Sequence, residues 1–175
     1  MKHVPSILFV SLFCTSTTLI AAETSTPSNA LDKFLGSGTC TGNVMAMGKN
    51  PGHATTAKFH GEKIMDGRWV EIRYDEDPSA ANSKPFHVVQ YFGYDASKKR
   101  YVSVLIDNAD ESYSTGSSSG WQGDSITFDE SSDGKSVSFR DVFTSGQSGL
   151  NSHAGWMKDK SGKWVKTDEE TCQSS

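Results

Sequence analysis

The chain is short of long apolar runs, of cysteine and of basic charge, and each shortage excludes something. Past residue 22 no stretch stays apolar for the length of a bilayer crossing. The formal net charge is −4, from 17 Lys and Arg against 21 Asp and Glu. No basic stripe interrupts that balance, so nucleic acid and anionic membrane surfaces are poor partners. Three cysteines occur, and two of them alone do not complete a zinc site. No H-E-x-x-H is present, and no histidine pair has zinc-ligand spacing. Helical periodicity is missing between the apolar segments, which argues against parallel βαβ units.

The first residues read as a removable leader. Lys2 and His3 precede a mainly apolar run from Val4 to Ile20, and Ala21-Ala22 stand before Glu23. This is the pattern of a secretory signal peptide cleaved near Ala22, and it predicts a periplasmic or secreted protein. Thr15 to Thr18 interrupt the run, so no stable membrane span is expected. Losing Lys2 brings the basic residues from 17 to 16 against 21 acidic ones, a net charge near −5. Residues 23–29 read as a flexible polar leader, and 30–175 as a single domain.

What the mature chain does contain is alternation. Pro85 to Asn108 holds two β-rich runs around Asp95-Ala96-Ser97-Lys98-Lys99, the signature of a hairpin. If Tyr94 faces Arg100, Phe92 faces Val102, Gln90 faces Val104 and Val88 faces Ile106. One face is then Phe86, Val88, Gln90, Phe92, Val102, Val104 and Ile106, apolar except for Gln90. The other face carries Val89, Tyr91 and Leu105, a surface on which two copies could form a homodimer.

Ten such segments follow Gly36: Thr39–Met47, Ala54–Met65, Trp69–Asp75, Phe86–Tyr94, Arg100–Asp107, Ser112–Ser117, Ser125–Glu130, Ser136–Thr144, Ser152–Lys158 and Lys163–Thr171. Turn chemistry separates them, with Asn50-Pro51-Gly52, Asp66-Gly67, Asp133-Gly134, Ser148-Gly149 and Ser161-Gly162. Ahead of them, Ala30, Leu31, Phe34 and Leu35 form a short helix capped by Ser28 or Asn29, a plug for one end. The expected fold is all-β, an antiparallel up-and-down barrel of about ten strands. Cys40 and Cys172 support closure. A disulfide between them needs the first and last strands to be neighbours, and closing a loop of about 130 residues is worth roughly 4–5 kcal/mol at most.

Short motifs along the chain carry a resemblance. They are Gly38-Thr39-Cys40-Thr41-Gly42, Gly67-Arg68-Trp69, Gly93-Tyr94-Asp95 with Arg100-Tyr101-Val102, Ser119-Gly120-Trp121-Gln122-Gly123-Asp124, and Gly162-Lys163-Trp164 with Cys172. In these the sequence resembles a family of uncharacterised exported bacterial proteins with a lipocalin-like (calycin) barrel. Cys40 stands where the family commonly has a tryptophan. The resemblance implies a fold and export, and none of its motifs is catalytic.

Other patterns are weaker. Gly116-Ser117-Ser118-Ser119-Gly120 fits G-x-S-x-G, and Asp141 and His153 follow it, but a turn and a strand come after the serine where a nucleophile elbow needs a helix. Asp129 to Gly134 opens like a calcium loop, yet the twelfth position is Arg140 instead of glutamate. Asp107, Asp110 and Glu111 read as a solvated loop. No catalytic residue, metal or cofactor is therefore expected, and the protein reads as a non-enzyme. The favoured function is binding of a small hydrophobic or amphipathic ligand in the lumen, lined by Trp69, Phe86, Val88, Gln90, Phe92, Val102, Val104, Ile106 and Trp121. The alternatives are a packed interaction module and a haem-binding barrel using His153.

Overall fold

A computed structural model describes residues 27–48, 51–109 and 112–175. The signal peptide, most of the leader, Asn50 of the first turn, and Asp110 and Glu111 lie outside the described residues. A 3-10 helix, Pro27–Phe34, comes first. Ten strands follow: β1 (Gly36–Val44), β2 (His53–Ile64), β3 (Trp69–Glu76), β4 (His87–Asp95), β5 (Arg100–Asp107), β6 (Tyr113–Ser118), β7 (Ser125–Ser131), β8 (Phe139–Gly146), β9 (Gly149–Lys158) and β10 (Trp164–Ser174). Each pairs antiparallel with its sequence neighbour, and β1 closes on β10. The sequence expectation of ten strands and a helical plug is therefore met, with 3-10 in place of α geometry.

Period-2 alternation drives the closure. Along β2 the residues alternate buried and exposed from Thr55 to Gly61, so one face of each strand turns inward. Cys40 and Cys172 are directly paired across the β1–β10 seam, Cα atoms 4.0 Å apart, and joined by a disulfide. Their separation of 132 residues makes this a long cross-link.

The helix fills one end. Leu31 and Phe34 are fully buried. Phe34 stacks on Phe92 with ring centroids 4.5 Å apart and meets Phe143 edge-on at 5.2 Å. Phe128, Ile126, Val70 and Leu150 complete a buried apolar core beneath it. Trp121 belongs to this plug. Its Nε1 donates to the Ala30 carbonyl at 2.9 Å, and its ring packs on Phe34.

Register is where the structure corrects the sequence reading. Asp95, not Tyr94, faces Arg100, so Phe92 faces Ser103, Gln90 faces Leu105 and Val88 faces Asp107. The turn holds four residues instead of five because Asp95 Oδ1 accepts the Ser97 and Lys98 N–H groups and the Ser97 hydroxyl. A slip of one residue exchanges the faces of β5. Tyr101, Ser103 and Leu105 turn inward, and Val102, Val104 and Ile106 turn outward. The β2–β3 turn also differs. Met65 and Asp66 take the left-handed positions, and Gly67 N–H bonds to Ile64 O.

Candidate functional site

The end opposite the helix is built differently from the aromatic end. Halfway along the barrel the inward positions change from apolar to polar. Thr55 on β2, Tyr74 on β3, Gln90 on β4, Ser103 on β5, Glu130 on β7, Asp141 on β8, His153 on β9 and Asp168 and Glu170 on β10 form a belt around the inner wall. Above it, partly exposed Val44, Val88, Leu105, Phe139 and Met157 form an apolar upper wall.

His153 is the centre of the belt. Nε2 lies 3.2 Å from Asp141 Oδ1, and Nδ1 lies 3.2 Å from Asp168 Oδ2. Its ring rests on Phe143, 4.8 Å between centroids. Burial disfavours the charged imidazole, but hydrogen bonds and attraction from both carboxylates outweigh it and raise its pKa well above the usual value. His153 is thus an imidazolium that donates from both nitrogens. Burial opposes ionisation of Asp168, and the hydrogen bond and charge of His153 more than offset this, so its pKa is lowered.

Two further carboxyls behave in the opposite way. Glu130 is buried, and Oε1 accepts from Ser103 Oγ at 2.8 Å and Gln90 Nε2 at 3.0 Å. Burial, then repulsion from Asp141, push its pKa up to about 8. Gln90 bridges the pair, donating also to Asp141 Oδ2 at 3.2 Å. Glu170 is raised by burial too, although a hydrogen bond from the Tyr74 hydroxyl partly offsets this. Burial and the Glu170 charge drive the Tyr74 phenol upward in turn.

Local sequence makes room for these groups. A Cβ on Gly116 would stand 2.3 Å from Ser103 Oγ and 2.7 Å from Glu130 Cγ. A Cβ on Gly155 would stand 2.2 Å from Asp168 Oδ1. The β10 strand has a register shift between Lys166 and Asp168. Such an extra residue bends a strand and re-aims the side chain beside it, and Asp168 points at His153.

A second polar cluster stands at the rim. Buried Glu76 accepts from the Phe86 N–H at 2.8 Å and Asn82 Nδ2 at 2.9 Å, and meets His53 Nε2 at 2.9 Å. These bonds outweigh burial and lower its pKa. They also tie the β3–β4 loop to the mouth of the barrel.

Of the nine lumen residues expected from sequence, Val88, Gln90 and Phe92 face inward. Phe86 sits just outside β4 at the mouth and is over a third exposed. Val102, Val104 and Ile106 face outward through the register slip. Trp69 also lies outside, its ring across Gly93, which has no side chain to block it. Trp121 is in the plug. The same slip moves Leu105 inside, so the outer face beside Val89 and Tyr91 consists of Val102, Val104 and Ile106, with Tyr113 opposite Ile106. Asp129 pairs with Arg140 at 2.6 Å, and Asp133 caps its own turn, so neither is held in a calcium loop. Sequence reasoning noted His153 and Asp141 but missed Glu130, Asp168 and Glu170 as neighbours. Counting back by twos from Cys172 reaches Glu170 and Asp168, which is the signal that was there to use.

These features define a closed ten-stranded antiparallel barrel with an aromatic end and a polar end. Among families, the model described as "Protein of unknown function (DUF1579)" matches residues 23–173, so the chain belongs to that family. The crystal structure of Rv2717c from M. tuberculosis is similar, with a TM-score of 0.64 over 86% of this chain and 98% of that one, at 13% identity. At that identity the likeness is one of fold. No curated protein matches the chain.

Proposed function

We propose that this is an exported carrier that binds a small amphipathic molecule in the open half of its lumen, and that it is not an enzyme. One observation carries the reading. His153, Asp168 and Asp141 lie on the inner wall at mid-barrel, yet 22%, 25% and 14% of their side-chain surfaces remain open to solvent. Val88, Leu105, Phe139 and Met157 on the same inner wall are also partly exposed, which supports access to the belt from that end. An apolar wall with a few convergent polar groups is the usual make-up of a small-molecule site. The leader and the disulfide support export, since such bonds persist in oxidising compartments. The non-enzymatic reading is supported by the chemistry of His153, whose two nitrogens are both committed to carboxylates and leave no lone pair for a base. The same commitment weighs against haem ligation. Ser118 accepts from Gly120 N–H in the plug half, on the strand residue facing Tyr101.

The test is a native mass spectrum of protein purified from the exported fraction, beside a denatured spectrum of the same sample. The expected result is an added mass in the native spectrum alone, and a denatured mass matching cleavage near Ala22. Leu105→Trp puts a much larger side chain on the apolar upper wall and should abolish the added mass. A bare wild-type protein, or a ligand retained by that variant, refutes the reading.

A further inference from the structure

We infer that the β6–β7 seam is a lateral gate in the barrel wall and that ionisation of Glu130 opens it. Such a gate needs no guest in the lumen. β6 and β7 are paired over three residues, 115–117 with 129–131. Among the described residues, every other seam is paired over six or more. Local sequence explains the weakness. β6 reads Tyr-Ser-Thr-Gly-Ser-Ser, and a glycine inside a strand has no side chain to pack. Thr115 and Ser131 are the last pair of the ladder at the end opposite the helix. With Tyr113 and Asp133 they line a surface cleft of about 360 Å³. That cleft begins one residue from Glu130.

Glu130 is the middle residue of the short ladder, opposite Gly116. Its carboxyl clasps strands on the far side of β6. Oε1 accepts from Ser103 Oγ of β5 at 2.8 Å and from Gln90 Nε2 of β4 at 3.0 Å. Gly116 leaves these bonds room to pass β6, since a Cβ there would stand 2.3 Å from Ser103 Oγ and 3.0 Å from Glu130 Oε1. The clasp suits a neutral acid. β4, β5 and β6 turn Gln90, Ser103 and Gly116 toward it, and none of these titrates. β8 adds Asp141, held by the same Gln90 at 3.2 Å, and β9 adds His153, with Asp168 of β10 beyond it. Asp129, the chain neighbour, is engaged with Arg140. His153 and the two hydrogen bonds favour the carboxylate, but burial and then the Asp141 charge outweigh them. A carboxylate at this place therefore gains by reaching water. β8 holds β7 over six residue pairs and the Asp129–Arg140 ion pair, and β5 holds β6 over six. Least has to break where the wall parts between β6 and β7, and there the cleft already reaches Ser131.

Native-state hydrogen exchange of the disulfide-intact protein, across low urea concentrations at pH 6 and pH 8, tests this. Global unfolding exposes Glu130 too, so pH alone does not separate it from gating. Urea does, because a local opening exposes little surface. Relative to their unstructured rates, amides of β6 and β7 should exchange at least roughly tenfold faster than those of β1 and β2, with little dependence on urea. The closed barrel holds the Glu130 proton more tightly than the open one, so opening is favoured as the pH rises from 4.5 and levels off above about 8. Protection of β6 and β7 should therefore fall at least roughly tenfold from pH 6 to pH 8, with about fiftyfold the limit if the open state restores the ordinary carboxyl. Glu130→Gln keeps an acceptor for Ser103 and Gln90 and cannot ionise, so in this variant the protection of β6 and β7 should not change with pH. Amides of β6 and β7 that share the protection and urea dependence of β1 and β2 overturn the gate. A local opening that ignores pH in the wild type, or keeps its pH response in Glu130→Gln, overturns the role of Glu130.

Discussion

Replacing Glu130 with glutamine should make this barrel more stable in alkaline buffer and change it little in acid. The carboxyl is buried behind Ser103 and Gln90, and its pKa is raised from 4.5 to about 8. The native state thus holds the proton more tightly than the unfolded chain does. The stabilisation from this group is complete below pH 4.5 and is lost as the pH rises through about 8. At about 1.4 kcal/mol per pH unit between those values, the native state forfeits on the order of 5 kcal/mol. Glutamine keeps an acceptor for Ser103 and Gln90 and cannot ionise. The gain of Glu130→Gln over wild type should therefore grow by about 3–5 kcal/mol between pH 5 and pH 8.5. Burial is nearly total, so solvent screening removes little of this. Urea unfolding of both proteins at the two pH values, disulfide intact, measures the difference. His153 and Glu170 also lose stabilisation as the pH rises, but both are present in each protein and largely cancel. A gain that is equal at the two pH values, or larger at pH 5, refutes the assignment of a buried neutral carboxyl.

Two further substitutions probe the halves of the barrel separately. Phe34→Ala empties the space between Phe92 and Phe143 and should cost about 3–5 kcal/mol in urea unfolding; a loss below about 1 kcal/mol would mean the helix does not act as a plug. Gly116→Ala forces a methyl group against Ser103 Oγ and Glu130 Cγ and should cost about 1–3 kcal/mol. Ser103→Ala should restore part of that loss by removing the atom 2.3 Å away, and a double variant no better than the single one would contradict the packing described.

The two ends of the barrel use their volume for opposite purposes. At the helix end, Phe34, Phe92, Phe128 and Phe143 fill the interior with stacked and edge-on rings, the arrangement that stabilises through burial and packing. At the other end the inner wall holds carboxyls whose pKa values have been driven apart. Glu130 and Glu170 are raised by burial, while Asp168 is lowered by His153. Polar groups kept inside a barrel lower its stability unless each is satisfied. Most of the belt is satisfied by its own members.

Much of this protein was legible from local signals. Alternation within each segment and Gly- or Asp-rich punctuation between them predicted ten antiparallel strands, because side-chain period and turn geometry are properties of neighbouring residues. The terminal cysteines pointed to the closure of β1 on β10, since a disulfide needs its two Cα atoms within about 7 Å of each other. Leu31 and Phe34 announced the plug. The lumen was less legible, and the reason is parity. Whether Val102 or Ser103 faces inward depends on four or five residues in one turn, decided by the hydrogen bonds Asp95 makes within it. From the sequence, β5 lent its valines and Ile106 to the interior; in the structure it contributes Ser103 beside Glu130. The meeting of Asp141 from β8 with His153 from β9 and Asp168 from β10 depends on registers and on the irregularity at Thr167, which no single segment encodes. Local sequence settled which elements form and in what order. Tertiary structure alone decided which face of each strand looks inward, and so which acids share the interior with His153, because facing is fixed by pairing between strands and not within them.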